Sequence, residues 1–153
     1  MEKDLIDTWE IHQRINLYLL DSILEDYLED IASSKGRNVA EQVAHIHNVR
    51  LMWLQAARPD LLAGLEKIDK EKGITKSQLK KALTQSGKAI TTLLQSAFKE
   101  GKVKGFKPHP MAFFAYLISH ESHHRGQIIL CLKQSGHPVN KKIAYGIWEW
   151  GTR

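Results

Sequence analysis

Apolar residues recur every three or four positions along most of the chain, which is the spacing of an amphipathic α-helix. Between positions 4 and 30 no glycine or proline interrupts this spacing, and the apolar positions lie within about 100° of one another on a helical wheel. Strand-like alternation of apolar and polar residues is absent. The pattern predicts a first helix over 4–30, with an inward stripe of Leu5, Trp9, His12, Leu19, Leu20, Ile23 and Tyr27.

Residues that start and stop helices flank three further segments with helical spacing. Asparagine or threonine with a glutamate or glutamine three residues later is typical of a capping box, and proline suits the first helical turn. Glycine is a frequent helix stop. These signals predict helices from Asn38 to Pro59, from Thr75 to Gly101 and from Pro110 to Gly136.

The second helix carries two apolar stripes, so both of its sides are expected to be covered. His45 lies in one stripe with Val49, Met52 and Trp53, whereas His47 lies in the opposite one. One side would face the core and the other is a candidate subunit interface. His47 is therefore interpreted as a packing or interface residue.

The C-terminal segment from Ile143 to Gly151 is too aromatic for a frayed end, since it holds Tyr145, Trp148 and Trp150. We expect it to pack on the helices or to line a pocket. Four helices with connections of differing length predict an all-α fold, an antiparallel four-helix bundle with this short aromatic segment packed on it. We expect residues 1–153 to form a single domain.

Composition narrows the functional classes. Of the 153 residues 42% are hydrophobic and 25% are charged, as in a globular protein outside the membrane, and no apolar run reaches the ~20 residues of a membrane span. A single cysteine and a polar N-terminus without a signal-peptide pattern favour a cytoplasmic setting. The net charge is +5, but the lysine and arginine residues are dispersed and form no basic stripe interleaved with aromatic residues. We therefore expect neither nucleic acid nor membrane as a partner.

Three histidines fall within five residues in the middle of the fourth helix. His120 and His124 are one turn apart and project from one face, a spacing at which two imidazoles can bind one divalent metal ion. The alternative is a pair of partly exposed histidines with no ligand. Phe113 and Ile128 share their face, and histidines that point into a core need polar partners.

His45 on the second helix is the candidate third ligand. Three neutral imidazoles on a divalent ion leave a position for water or substrate, and zinc and nickel both accept imidazole. Glu121 and His123 are interpreted as flanking or second-layer groups, with solvent exposure the commoner outcome. A di-iron site needs a second Glu-x-x-His pair, which the sequence lacks. Cys131 is interpreted as a small buried hydrophobic residue.

His12 and Asn16 lie one turn apart in the middle of the first stripe. We interpret them as core polar residues that are hydrogen-bonded to another helix. The alternative places them near the metal, where Trp9, His12 and Trp53 would help to shape a pocket.

At these residues the sequence resembles the DinB family over nearly its whole length. The motifs are Val43-Ala44-His45 with Trp53-Leu54, and the run from His120 to Ile128, with a similar Trp148-Glu149-Trp150-Gly151 tail. The resemblance implies a four-helix bundle, often a homodimer, with a divalent metal on His45, His120 and His124. Relatives include thiol S-transferases that use bacillithiol or mycothiol, and others are linked to isomerase or hydrolase chemistry.

Two functions from different classes follow as hypotheses. The first is a metal-dependent transferase or hydrolase, in which the metal activates a low-molecular-weight thiol or water for reaction with a small-molecule substrate. The second is a metal-stabilised binding module without turnover, in which a fourth protein ligand such as His12 or Cys131 closes the site. The coordination sphere distinguishes the two.

Overall fold

The chain folds into four long helices that pack together, with a fifth short one near the C-terminus. The structure is a computed structural model and describes residues 1–70 and 73–153. No β-strand occurs in these residues, so the all-α prediction is confirmed. The helices are α1 (Glu2–Ser22), α2 (Val39–Ala57), α3 (Lys76–Glu100), α4 (Pro110–Gln134) and α5 (Lys141–Gly146).

The predicted starts of α2 and α3 are confirmed by their caps. The Asn38 side chain accepts the Glu41 N–H at 2.9 Å, and the Glu41 carboxylate accepts the Asn38 N–H at 3.1 Å, which completes the capping box of α2. Thr75 accepts the N–H of Gln78 at the start of α3. Gly101 ends α3 with a φ of 71°, a backbone conformation that glycine adopts without steric cost.

α1 is shorter than predicted, because the chain leaves the helix at Ile23 in an extended conformation. A single 3-10 turn follows at Glu25–Tyr27. Ile23 and Leu28 remain buried while Leu24 between them is 58% exposed. The bend therefore folds two apolar side chains over the end of the core, and a continuous helix would carry them past it.

The core-facing side of α2 is the stripe that contains His47. Leu51 and Leu54 on this stripe are buried, whereas Met52 on the opposite stripe is 54% exposed. His47 itself is buried, as a packing residue would be, and its Nε2 donates to the carbonyl oxygen of Glu66 at 2.8 Å. This bond ties α2 to the long segment that connects it to α3.

The C-terminal segment has both buried and exposed residues. Ile147 is buried in the core and Trp150 packs against the same cluster, while Tyr145 and Trp148 are 69% and 74% exposed. Arg153 lies over the ring of Tyr18 on α1, with its guanidinium carbon 3.8 Å from the ring centre. Within the described residues, none of the helices has both the length and the apolar character needed to cross a bilayer.

Candidate metal centre

Three imidazoles meet in the groove between α2 and α4. One nitrogen atom each from His45, His120 and His124 lies within 4.8 Å of the others, which confirms the predicted grouping. The Nε2 atoms of His120 and His124 are 3.1 Å apart. Two nitrogens bound to one tetrahedral ion at about 2.0–2.1 Å lie about 3.3 Å from each other, so this pair is spaced as two ligands of one ion.

The rings of His45 and His120 each pack edge to face against the ring of His124. Ring centres of His45 and His124 are 4.5 Å apart, and those of His120 and His124 are 4.6 Å apart. His124 is buried, whereas His45 and His120 are half-buried. The group therefore has a protein side and a side open to solvent, from which a small molecule can approach.

Burial lowers the pKa of all three imidazoles. For His124 the pKa falls to about 3, because burial is reinforced by repulsion from His120 and His45. The pKa of His45 is lowered mainly by burial and further by the positive charge of the exposed Arg37. The pKa of His120 is also lowered, because burial outweighs the negative charge of Glu121, which would raise it. At neutral pH the imidazoles are neutral, the form that binds a metal.

Gln42 orients the most buried of these histidines. Its Oε1 lies 2.7 Å from Nδ1 of His124, and the Gln42 side chain is only 6% exposed. An amide oxygen can only accept, so Nδ1 carries the proton and Nε2 presents its lone pair toward His120. Gln42 was not singled out from the sequence, although it lies one helical turn before His45 on α2.

Glu121 was interpreted as a flanking or second-layer group, and the solvent exposure expected as its commoner outcome is wrong, because it is 1% exposed. Arg50 donates from Nε and Nη2 to the two carboxylate oxygens at 2.7 and 2.8 Å. His12 and Asn16 each lie within 2.8 Å of Oε2. Although burial opposes ionisation, Arg50 and His12 hold the pKa of this carboxyl well below its usual range. The buried Arg50, which no sequence pattern singles out, explains why the carboxylate can be buried.

The prediction that His12 and Asn16 are core polar residues bonded to another helix is confirmed. Arg125 on α4 donates to Asn16 at 2.7 Å and lies 3.1 Å from Nδ1 of His12. Because an arginine can only donate, Nδ1 accepts and the Nε2–H of His12 donates to Glu121. Burial lowers the pKa of His12, and both of its nitrogens are engaged away from the metal centre.

α3 also takes part in this polar network. Arg50 donates from Nη1 to the Leu83 carbonyl oxygen at 3.0 Å and to the Ser86 hydroxyl at 3.2 Å. Its guanidinium group is thereby held by α3 and α4 at once. The network joins the four long helices next to the three histidines, since Glu121 directly follows His120.

The remaining candidate residues lie in different environments. Trp9 is fully buried and donates from Nε1 to the Gly87 carbonyl oxygen at 3.2 Å. Trp53 is half-buried beside Tyr116, whose ring stacks on His120. His123 is exposed. Cys131 is buried with its thiol 3.6 Å from the Arg37 carbonyl oxygen, so its predicted role as a small buried residue is confirmed.

Of the comparisons with known proteins, the one with family models gave a match. The model of the DinB family matches residues 1–149 of the chain, which includes the three histidines and the network beneath them. Neither the curated proteins nor the solved structures gave a match. The family match therefore covers the whole helical bundle, including the three histidines.

Proposed function

The chain belongs to the DinB family, and on that premise we propose that it is a metal-dependent transferase or hydrolase. His45, His120 and His124 would hold one divalent ion, zinc or nickel, since both accept imidazole nitrogen. The observation that carries the proposal is the convergence of three nitrogen atoms within 4.8 Å. Their lowered pKa values keep them ready to bind a cation at neutral pH.

The residues around the group support an open coordination position. Among the described residues the group contains these three histidines and no fourth ligand. His12 is engaged by Glu121 and Arg125, and the Cys131 thiol is directed at the Arg37 carbonyl oxygen. Three protein ligands with one vacant position are typical of catalytic zinc sites, and four are typical of structural ones. This favours an enzyme over a metal-stabilised binding module.

The protein side of the site would orient the ligands. Gln42 fixes the proton of His124 on Nδ1, so that Nε2 faces the site. The ion pair of Glu121 with Arg50 fixes α4 against α2 at the residue next to His120. A bound ion would lower the pKa of a coordinated thiol or water, which supplies a nucleophile near neutral pH.

The charge of the site favours a nucleophile that binds as an anion. The ligand group contains no carboxylate, and the exposed Arg37 lies close enough to lower the pKa of each of the three histidines. Glu121 is neutralised by Arg50 in the core. We therefore propose a thiolate from a low-molecular-weight thiol as the first candidate, and hydroxide from water as the second.

The order of contacts supports an antiparallel arrangement within the bundle. Contacts between α1 and α3 run in opposite directions, from Asp21 with Lys80 to Trp9 with Gly87. The early part of α2 likewise contacts the late part of α4. Contacts of α2 with α3 advance together along both helices, which the long crossover between them permits. We infer that α1 and α4 run one way and that α2 and α3 run the other.

We also propose a homodimer in a reducing, cytoplasmic setting. Met52 is 54% exposed on the outer face of α2, and an exposed apolar side chain there is available to a subunit interface. The single cysteine is buried and forms no disulfide, as expected of a protein kept in a reducing compartment.

Metal content of histidine variants tests the proposal. His120→Ala should lose the ion after zinc loading and dialysis, and His123→Ala is the matched control because His123 is exposed and outside the group. Elemental analysis should give one zinc per chain for the wild type and the control. Circular dichroism should show a helical fold for both variants. One zinc retained by His120→Ala would reject the site.

A thiol-transfer assay across several electrophiles then separates the enzyme from the binding module. We expect turnover by the zinc-loaded wild type and none by His120→Ala. A zinc-loaded wild type that transfers no thiol and hydrolyses no ester or amide would favour the module.

A further inference from the structure

Beside the metal centre lies a cluster of half-exposed aromatic rings that the proposed chemistry does not use. It consists of Trp53 on α2, Phe106 in the segment before α4, and Tyr116 on α4. We propose that this cluster, called here the aromatic wall, binds a planar apolar group of the substrate while another atom of the substrate lies at the metal. The inference rests on the proposed function and names the class of substrate for that site.

The aromatic wall is continuous with the ligand group. Tyr116 lies one helical turn before His120, and the two rings are nearly parallel, with an angle of 16° and centres 5.9 Å apart. Ring centres of Trp53 and Tyr116 are 5.6 Å apart, and those of Phe106 and Tyr116 are also 5.6 Å apart. A molecule that occupies the open side of the three histidines therefore meets Tyr116 next.

The rings are held in place from behind. Phe113 is completely buried and contacts Trp53 edge to face, with centres 5.4 Å apart. The indole Nε1–H of Trp53 donates to the Tyr116 hydroxyl at 3.4 Å. These contacts fix the wall before a ligand arrives, so little rotamer entropy is lost when a ring packs on it.

Exposure separates the aromatic wall from the core aromatic residues. Trp9 and Phe113 are 0% exposed, whereas the three rings of the wall keep part of their surface in water. Aromatic rings prefer partners at 4.5–7 Å between centres, in edge-to-face or offset geometry. The wall already has this spacing, so an added planar ring would extend the existing array and cover its exposed part.

Ring preference of the zinc-loaded protein tests the inference. Benzyl mercaptan and ethanethiol both present a thiol, and only the first carries a planar ring. Titration calorimetry should show benzyl mercaptan binding about tenfold tighter than ethanethiol, as expected for one added aromatic contact with its buried area. Cyclohexylmethanethiol, which is apolar without being planar, should bind more weakly than benzyl mercaptan.

Variants locate the preference. Tyr116→Leu and, independently, Trp53→Leu should reduce the benzyl-to-ethyl affinity ratio by about fivefold or more, with both affinities measured on the zinc-loaded form of each variant. Trp148→Leu is the matched control, because Trp148 is 74% exposed near the C-terminus, and it should keep the ratio. Circular dichroism identifies a variant that fails to fold. In that case the affinity ratio of the other variant tests the inference.

The two proposals fail in different ways. A benzyl-to-ethyl ratio near one in a wild type that holds one zinc would overturn the aromatic wall alone. The same conclusion follows if both variants keep the wild-type ratio. Absence of zinc from the loaded wild type would overturn the metal centre, and with it the wall as its substrate subsite.

Discussion

Replacement of Glu121 by glutamine tests whether a buried carboxylate stabilises the centre of the bundle. The side chain of Glu121 is 1% exposed and lies between Arg50 and His12. Glutamine keeps the size of the side chain and removes its charge. Arg50, which is 0% exposed, would then lie in the core without a counter-charge.

The expected loss follows from the environment of the two groups. Removing one partner of a buried ion pair costs about 3–5 kcal/mol of the free energy of unfolding. An amide presents one acceptor oxygen where the carboxylate presents two, and a buried donor left without an acceptor costs about 1–3 kcal/mol. The second cost is partly contained in the first, so we expect a loss of about 3–5 kcal/mol for Glu121→Gln.

Urea unfolding of the metal-free protein, followed by circular dichroism, measures this loss. Glu10→Gln on the exposed face of α1 is the matched control and should change the free energy by less than about 0.5 kcal/mol. Adding Arg50→Met to Glu121→Gln should restore part of the stability, because it removes the unpaired charge. A loss below about 1 kcal/mol for Glu121→Gln would refute the reasoning.

Two further predictions concern the histidines. Gln42→Ala should weaken zinc binding about 10- to 100-fold in a chelator competition, because His124 loses the acceptor that fixes its tautomer. The control Gln55→Ala changes an exposed residue and should bind zinc as the wild type does. Equal zinc affinities for all three proteins would contradict the role of Gln42. Since the folded-state pKa of His12 is lowered from 6.5, the unfolded chain binds more protons, and metal-free stability should fall as pH drops below about 6.5, by up to about 1.4 kcal/mol per pH unit for each such histidine. His12→Gln should make this pH dependence shallower, by the contribution of one bound proton. A free energy of unfolding that does not change between about pH 7 and 5 would contradict the prediction.

Features set by neighbouring residues could be predicted from the sequence. The capping of α2 by Asn38 and Glu41 involves residues three apart, and the pair His120 and His124 is one helical turn apart. The end of α1 could not be predicted in this way. No glycine or proline marks it, and the packing of Ile23 against distant parts of the chain decides it.

The polar network next to the three histidines escaped prediction for a related reason. Arg50 and Glu121 are 71 positions apart, and Gln42 and His124 are 82 apart. Sequence periodicity assigns charged residues to the solvent, since an isolated charge is costly to bury. Only the packing of α2 against α4 brings each of these groups to its partner, which is why solvent exposure was the commoner expectation for Glu121.

X-ray absorption spectroscopy of the zinc-loaded protein tests the three-histidine centre most directly. We expect three imidazole nitrogens at about 2.0–2.1 Å and one exchangeable oxygen, which an added thiol replaces with sulfur at about 2.3 Å. Four protein ligands, a sulfur ligand before any thiol is added, or fewer than three imidazoles would contradict it.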